Sequence, residues 1–288
     1  MKKIPFYLSI DFEDYYHDKR REIGHDKPEF KIESLWKSYN RINSICDSLF
    51  DSKKFTFFCT GVVAKAAPDL IKKISNDGHE LACHYNYHDS ISKTTREDFV
   101  KNLDVAIDNI YKASGETPKG FRAPNFDIKP ENVWAYEEIS KKFKYDSSYI
   151  TSLHSEKVFN QSLFNFKKNN LFEYFIFANS FFSNKIKLRS GGTFLKLFPT
   201  SLTINTMRKS HDNGYSSLLY LHPYEFLSDY EFWIPLKDFS KYYFPKNLIK
   251  YARQIQWHKI GNKSIEKKLK KITSTFEHQG PMGHFVVK

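Results

Sequence analysis

From Lys3 onward the chain alternates between short runs of mostly apolar residues and longer stretches in which apolar residues recur every three or four positions. The first pattern is that of a buried strand and the second that of an amphipathic helix. "KIPFYLSID" (3–11) predicts a strand. Residues 33–50 predict a helix through Leu35, Trp36, Tyr39, Ile42, Cys46 and Leu49. "KFTFFCTG" (54–61) is a second strand ended by Gly61. A helix should follow in "VVAKAAPDLIKKISNDG", stopping at Gly78. "HELACH" (79–84) is a short strand. Residues 94–115 form a helix, with Thr94/Thr95 ahead of Glu97/Asp98 as a capping box and Gly115 as its stop. "KGFRAP" (119–124) reads as a strand cut by Pro124, residues 130–143 as a helix, and "KYDSSYI" as a strand. Beyond residue 150 the pattern blurs. "LFEYFIFAN" and "GGTFLKLFP" are strand candidates, residues 201–214 look helical, and "YSSLLYLHPYEF" (215–226) is a last clear strand. The remainder carries Ile265, Leu269 and Ile272 at helical spacing.

Repeated β–α units predict a parallel sheet, closed into a barrel or doubly wound. No G-x-G-x-x-G follows a strand and no phosphate-binding G-x-x-x-x-G-K-[ST] is present, which favours the barrel. The expected fold is a distorted, TIM-like (β/α) barrel of about seven or eight units. It should occupy residues 1–240 as one domain, with residues 241–288 a Lys-rich helical extension packed on it. The 288 residues are 40% hydrophobic and 17% aromatic, enough for a large core and unlike a disordered chain. Cys46, Cys59 and Cys83 show no C-x-x-C spacing and are expected to be reduced thiols. The apolar run after Lys2 and Lys3 is too short for a signal peptide and meets Asp11 and Glu13 at once, so a cytoplasmic protein is expected. Net charge is +12, and from Lys246 to Lys288 ten Lys or Arg stand against two Glu. That concentration points to an anionic partner, a phosphate-bearing substrate or the inner face of a membrane. No nucleic-acid-binding module is visible, so nucleic acid is not an expected partner.

In a β/α barrel, chemistry gathers at the C-terminal ends of the strands. The first strand ends at Asp11, with Glu13 and Asp14 just beyond. The third ends at His84, with His88 four residues on. The next ends at Arg122 in "FRAPNF", and the last clear strand at His222 in "LYLHPYEF". Alone, the spacing of His84 and His88 is as compatible with two unrelated histidines as with a ligand pair. Packing gives no reason for the other strand ends to carry carboxylate, guanidinium and imidazole, and this favours a metal site.

These residues resemble the polysaccharide deacetylases of carbohydrate esterase family 4, in the family's order and over roughly residues 4–230. "SIDFED" stands for the first motif, usually T-F-D-D-G, and "HYNYH" for H-[ST]-x-x-H. "RAPNF" stands for R-x-P, and "LYLHP" for the closing leucine-histidine motif. "DFED" departs from the usual form and is similar to a D-x-[DE] branch, in which positions i and i+2 share one strand face. The resemblance implies Asp11 as catalytic base, Glu13, His84 and His88 as metal ligands with Asp14 as the alternative to Glu13, Arg122 as partner of Asp11, and His222 as acid. It implies a divalent metal, Zn²⁺ first, with Co²⁺ or Ni²⁺ as alternatives. Tyr85 replaces a small hydroxyl residue at the mouth. Pro124, Asn125 and Phe126, the glycines Gly191 and Gly192 of "RSGGTF", and Tyr224 are expected along the substrate cleft, with Trp233 a further candidate for its floor. Trp36, Trp134 and Trp257 are expected to pack helices. His17 is divided between pocket and surface loop. His25, His154, His211, His258, His278 and His284 join no constellation. The implied activity is metal-dependent removal of acetyl from an N-acetylated sugar, free or phosphate- or lipid-linked, in surface-polysaccharide biosynthesis. A deformylase or other amide hydrolase, or a catalytically dead carbohydrate-binding relative, are the alternatives.

Overall fold

The computed structural model describes residues 2–152, 170–181, 186–240 and 243–286. Strand β1 (Ile4–Phe12) is buried without interruption from Phe6, as its mostly apolar run suits a strand covered on both faces. Ten further strands follow: β2 (Thr56–Cys59), β3 (Glu80–Cys83), β4 (Gly120–Phe121), β5 (Tyr145–Asp146), β6 (Ile150–Thr151), β7 (Phe172–Glu173), β8 (Ile176–Phe181), β9 (Ile186–Arg189), β10 (Ser217–Leu221) and β11 (Phe276–His278). The main sheet runs β10-β1-β2-β3-β4-β5-β7, and its pairs are parallel.

A second sheet, β6-β8-β9, continues the first. Tyr145 is opposite Phe172 while Ile150 is opposite Ile176. The first of these paired segments therefore carries one extra residue, a bulge joining two short ladders into one stave pair. Gly191 then forms a parallel bridge to Tyr220 of β10. A Cβ on Gly191 would lie 2.2 Å from the Tyr220 carbonyl oxygen, and its φ is +146°, so glycine alone permits this approach. The result is the distorted β/α barrel expected from the alternating pattern.

The helices are α1 (Tyr15–Glu22), α2 (Ile32–Leu49), α3 (Gly61–Ala66), α4 (Pro68–Asn76), α5 (Arg96–Ser114), α6 (Trp134–Lys142), α7 (Gly192–Leu197), α8 (Thr200–Asp212), α9 (Lys246–His258), α10 (Ile265–Ile272) and α11 (Gly283–Val286). Thr95 caps α5 by accepting from the Asp98 amide, and Gly115 ends it in the left-handed region.

Three expectations are corrected, and one helix is added. The helix read through residues 62–78 is two helices, because Pro68 has no amide hydrogen to continue the first. "GGTFLKLFP" is helix α7 rather than a strand, since a short apolar run does not by itself fix the period. The C-terminal segment is not wholly helical: β11 pairs with Ile4–Phe6 of β1 and buries Phe276 and His278 on either side of exposed Glu277. Helix α1 had not been foreseen, because only Tyr16 and His17 of its largely charged sequence are buried. The three cysteines are free, as expected, and are buried. Among the described residues, no helix is long and apolar enough to cross a membrane.

Candidate active site

The C-terminal ends of β1, β3 and β10 open into a cleft of about 760 Å³. Asp11 and Glu13 both line it, while Phe12 between them turns into the core against Phe57. This is the strand alternation that made i and i+2 partners. Asp14 is committed elsewhere. It caps α1, accepting from the amides of Tyr16 (3.0 Å), His17 (3.2 Å) and Lys31 (2.5 Å).

Glu13, His84 and His88 bring one ligand atom each to within 4.8 Å of one another. His88 Nε2 lies 2.7 Å and His84 Nε2 3.9 Å from Glu13 Oε2. His84 is fixed from behind by Nδ1, 2.8 Å from the Arg122 carbonyl, so Nε2 faces the cleft with its lone pair. Burial pushes the His84 pKa down to about 4 and keeps the ring neutral. His84 Nε2 is buried without a hydrogen-bond partner, 3.9 Å from Glu13 Oε2. Burial alone would raise the Glu13 pKa, but His88 outweighs it and holds the carboxyl well below its usual range. Two imidazoles and an ionised carboxylate with converging ligand atoms fit a divalent metal with positions left open.

No helix joins the two histidines, although their spacing is that of a helical turn. Tyr85 takes a left-handed φ of 65°, and residues 86–88 bend back. The amides of Gly61 and Val62 donate to the carbonyls of Tyr85 and Asn86. Gly61 is needed there, since a Cβ would meet Ala106 Cα at 2.6 Å.

Behind Asp11, Arg122 is fully buried. Its Nη1 donates to Asp11 Oδ1 (2.5 Å) and Ser9 Oγ (2.8 Å), its Nη2 to Ser147 Oγ (2.9 Å), and its guanidinium lies 4.0 Å from the Phe58 ring centroid. Across the cleft, His222 Nε2 stands 3.9 Å from Asp11 Oδ2, and Nδ1 is 3.1 Å from Glu225 Oε2. Burial opposes a charge on His222, but Glu225, then Glu13 and Asp11, outweigh it and raise the pKa. Glu225 is itself kept ionised against burial, first by Lys196 and then by His222. The Lys196 ammonium is 3.6 Å away and is anchored on the carbonyls of Gln256 and Trp257.

Asn125, Phe126, Gly192 and Tyr224 line the cleft. Asn125 and Phe126 both hold left-handed φ angles of 57°, a strained turn of the kind found at functional sites. Three expected cleft residues sit elsewhere. Tyr85 is buried and stacks on Phe99 because its left-handed turn aims it at α5. Pro124 is buried behind the wall, and Gly191 is spent on the barrel bridge. Trp257, expected to pack helices, lines the cleft, whereas Trp233 packs on Tyr230 and Tyr251. His17 is buried, stacked on Phe30 and 2.9 Å from Asp18. His258 and His278 are core rings, and His154 lies outside the described residues. Sequence reasoning missed Glu225, Arg189, Tyr15 and Asp18. Of these, Glu225 was within reach, being three residues past His222 in "HPYE".

Residues 43–143 match the polysaccharide deacetylase family, a stretch that contains His84, His88 and Arg122 but not Asp11, Glu13 or His222. A peptidoglycan-N-acetylglucosamine deacetylase of Bacillus cereus is 28% identical over 86 residues, 30% of this chain and 31% of the relative. A peptidoglycan-N-acetylmuramic acid deacetylase of Bacillus subtilis is 32% identical over 78 residues, 27% of this chain and 30% of the relative. The matched segment thus spans about a third of the length of these curated relatives. Among solved structures, a family 4 carbohydrate esterase from Streptomyces lividans in complex with acetate aligns with a TM-score of 0.42 and 12% identity, covering 95% of this chain and 88% of that one. Over about a third of its length the chain is similar to polysaccharide deacetylases.

Proposed function

We propose that the protein is a metal-dependent N-deacetylase acting on an N-acetylated sugar or saccharide in surface-polysaccharide biosynthesis. One observation carries this reading. A carboxylate held by a buried arginine (Asp11) and an imidazole held by a buried carboxylate (His222) face each other beside the Glu13, His84 and His88 triad. Glu13, His84 and His88 would hold the metal, with Zn²⁺ favoured by the donor set and Co²⁺ or Ni²⁺ as alternatives. When bound, it supplies Lewis acidity toward water and the amide carbonyl.

The protein's own groups do the proton work. Asp11, oriented by Arg122, takes a proton from the water whose oxygen bonds to the acetyl carbon. His222, oriented by Glu225, gives a proton to the sugar nitrogen as the C–N bond breaks. The products are acetate and a free amine. Each positioned acid or base contributes about 10²–10⁴-fold. Wild type should release acetate from N-acetylglucosamine oligosaccharides, and Asp11→Asn should lower kcat by about that factor. Turnover of N-formyl or cyclic amides with no acetate release would move the reading to the other amide hydrolases. Undiminished turnover by Asp11→Asn would contradict the assignment of the base.

A second observation bears on where the substrate is met. Eight of the 13 large hydrophobic side chains exposed among the described residues fall between Tyr230 and Ile260. Tyr243 is 91%, Phe244 77% and Ile249 57% exposed. On α9 the outward Leu248, Ile249 and Ile255 are interleaved with Lys246, Lys250 and Arg253, while Trp257 of the same helix lines the cleft. We infer that this apolar, basic face lies on an anionic membrane surface, with the cleft mouth beside lipid- or phosphate-linked sugar.

A further inference from the structure

The acidic side chains that line the cleft already have basic side-chain partners. Asp11 has Arg122, Glu13 has His88, and Asp18 has His17. Glu22 has Lys19 and Lys250, and Asp89 has Arg21. Arg189 is the reverse case. It closes β9, lines the same cleft, and is half-buried, yet its guanidinium makes no ion pair or hydrogen bond among the described residues. Its contacts are with aromatic faces. The guanidinium carbon lies 5.4 Å from the ring centroids of both Phe126 and Phe194.

Those rings fix where it stands. Phe126 is delivered by the left-handed turn at Asn125 and Phe126, and meets Tyr220 edge-on at 5.0 Å. Tyr220 in turn meets His222 at 6.0 Å. Gly192, three residues after Arg189, has its Cβ direction 3.6 Å from His222 Cε1. Arg189 therefore belongs to the wall that carries the leaving-group acid, on the side where the sugar, not the acetyl group, must lie. A planar guanidinium held against two aromatic rings, with its N–H groups unpaired among the described residues, is prepared for bidentate pairing with an anion. Neutral hydroxyls would also accept from it, but charge-assisted hydrogen bonds are about twice as strong. Lys93, exposed on the cleft rim and also without an ion pair among the described residues, adds charge of the same sign.

We propose that Arg189 receives an anionic group, a carboxylate or a phosphate ester, on the saccharide, so that the substrate is an acidic N-acetylated sugar. This rests on the deacetylase reading for the reaction but not for binding, and the test separates the two. Calorimetric binding and acetate release are measured with three probes: N,N′-diacetylchitobiose, its 6-phosphate, and an N-acetylglucosaminyl-glucuronate disaccharide. Each is tested with wild type, Arg189→Gln and Arg189→Lys. Wild type should bind one acidic probe at least about tenfold more tightly than the neutral one. Arg189→Gln should erase that ratio by weakening the acidic probe far more than the neutral one, and Arg189→Lys should keep part of it. Whichever acidic probe is preferred identifies phosphate or carboxylate. Equal wild-type affinity for all three, or a preference that survives Arg189→Gln, overturns the anion site even if acetate is released. A charge preference lost in Arg189→Gln, with no acetate from any probe, upholds the anion site and overturns the deacetylase reading.

Discussion

Replacing Arg122 with methionine keeps much of the side-chain volume and removes the charge on which Asp11 depends. Both groups are almost wholly inaccessible, with side-chain exposures of 0% and 3%, at an N–O distance of 2.5 Å. Leaving the Asp11 carboxylate buried without its partner should cost about 3–5 kcal/mol. Against a total stability of about 5–15 kcal/mol that is a large fraction. The Ser147 carbonyl loses a donor as well, whereas Ser147 Oγ still donates to the Tyr174 carbonyl at 3.0 Å. Pairing Arg122→Met with Asp11→Asn removes the stranded charge. The double variant should therefore be more stable than the sum of the single changes predicts, with a coupling of about 2–4 kcal/mol. Urea unfolding of the metal-free protein gives all four corners of this cycle without a contribution from bound metal. Arg122→Lys, which keeps a charge but not the fork, should fall between wild type and Arg122→Met. A loss below about 1 kcal/mol for Arg122→Met, with a coupling below about 0.5 kcal/mol, would refute the reasoning that this ion pair holds Asp11 in place.

Three further outcomes are expected. Glu13→Ala should weaken metal binding in a titration far more than Asp14→Ala, whereas Asp14→Ala should lose about 1–2 kcal/mol of stability as a helix cap, and the reverse ranking would move the ligand to Asp14. Burial holds the buried ring of His79 at a pKa of about 4, so the unfolded chain takes up its proton first as pH falls. Its contribution is therefore full above about pH 6.5 and is lost on the way down to about pH 4. The stability difference between wild type and His79→Gln should shift by about 2 kcal/mol in the variant's favour between about pH 7.5 and pH 5, and a constant difference in urea unfolding would contradict this. Wild type should sediment with vesicles containing phosphatidylglycerol and not with pure phosphatidylcholine, and changing Phe244 and Ile249 to serine should abolish it, so sedimentation unaffected by lipid charge or by these changes counts against the membrane face.

The parts of the fold legible in the sequence are those that local pattern controls. The apolar run of β1, the threes and fours of α2 and the capped α5 needed no distant partner to be read. The unread parts depend on neighbours far along the chain. "GGTFLKLFP" is helical because Gly191 must first close the barrel against Tyr220. Trp257 reaches the cleft only because α9 folds back to α1, where Lys250 meets Glu22. Within the site, strand ends and i/i+2 alternation placed Asp11, Glu13, His84 and His222 at one rim. Tyr85 was misplaced because a left-handed turn, which nothing in "HYNYH" announces, sends it into the core. The choice between Glu13 and Asp14 was legible in principle, since an aspartate ahead of a helix is a capping signal, but α1 carries too few apolar residues to reveal itself.

The central claim is that Glu13, His84 and His88 together hold a divalent metal. Elemental analysis after equilibration with Zn²⁺ or Co²⁺ and removal of the excess, on wild type and on the His84→Ala/His88→Ala double variant, tests it most directly. The account predicts about one metal ion per wild-type chain and only traces in a folded double variant. Metal-free wild type, or equal metal content in both proteins, would contradict it.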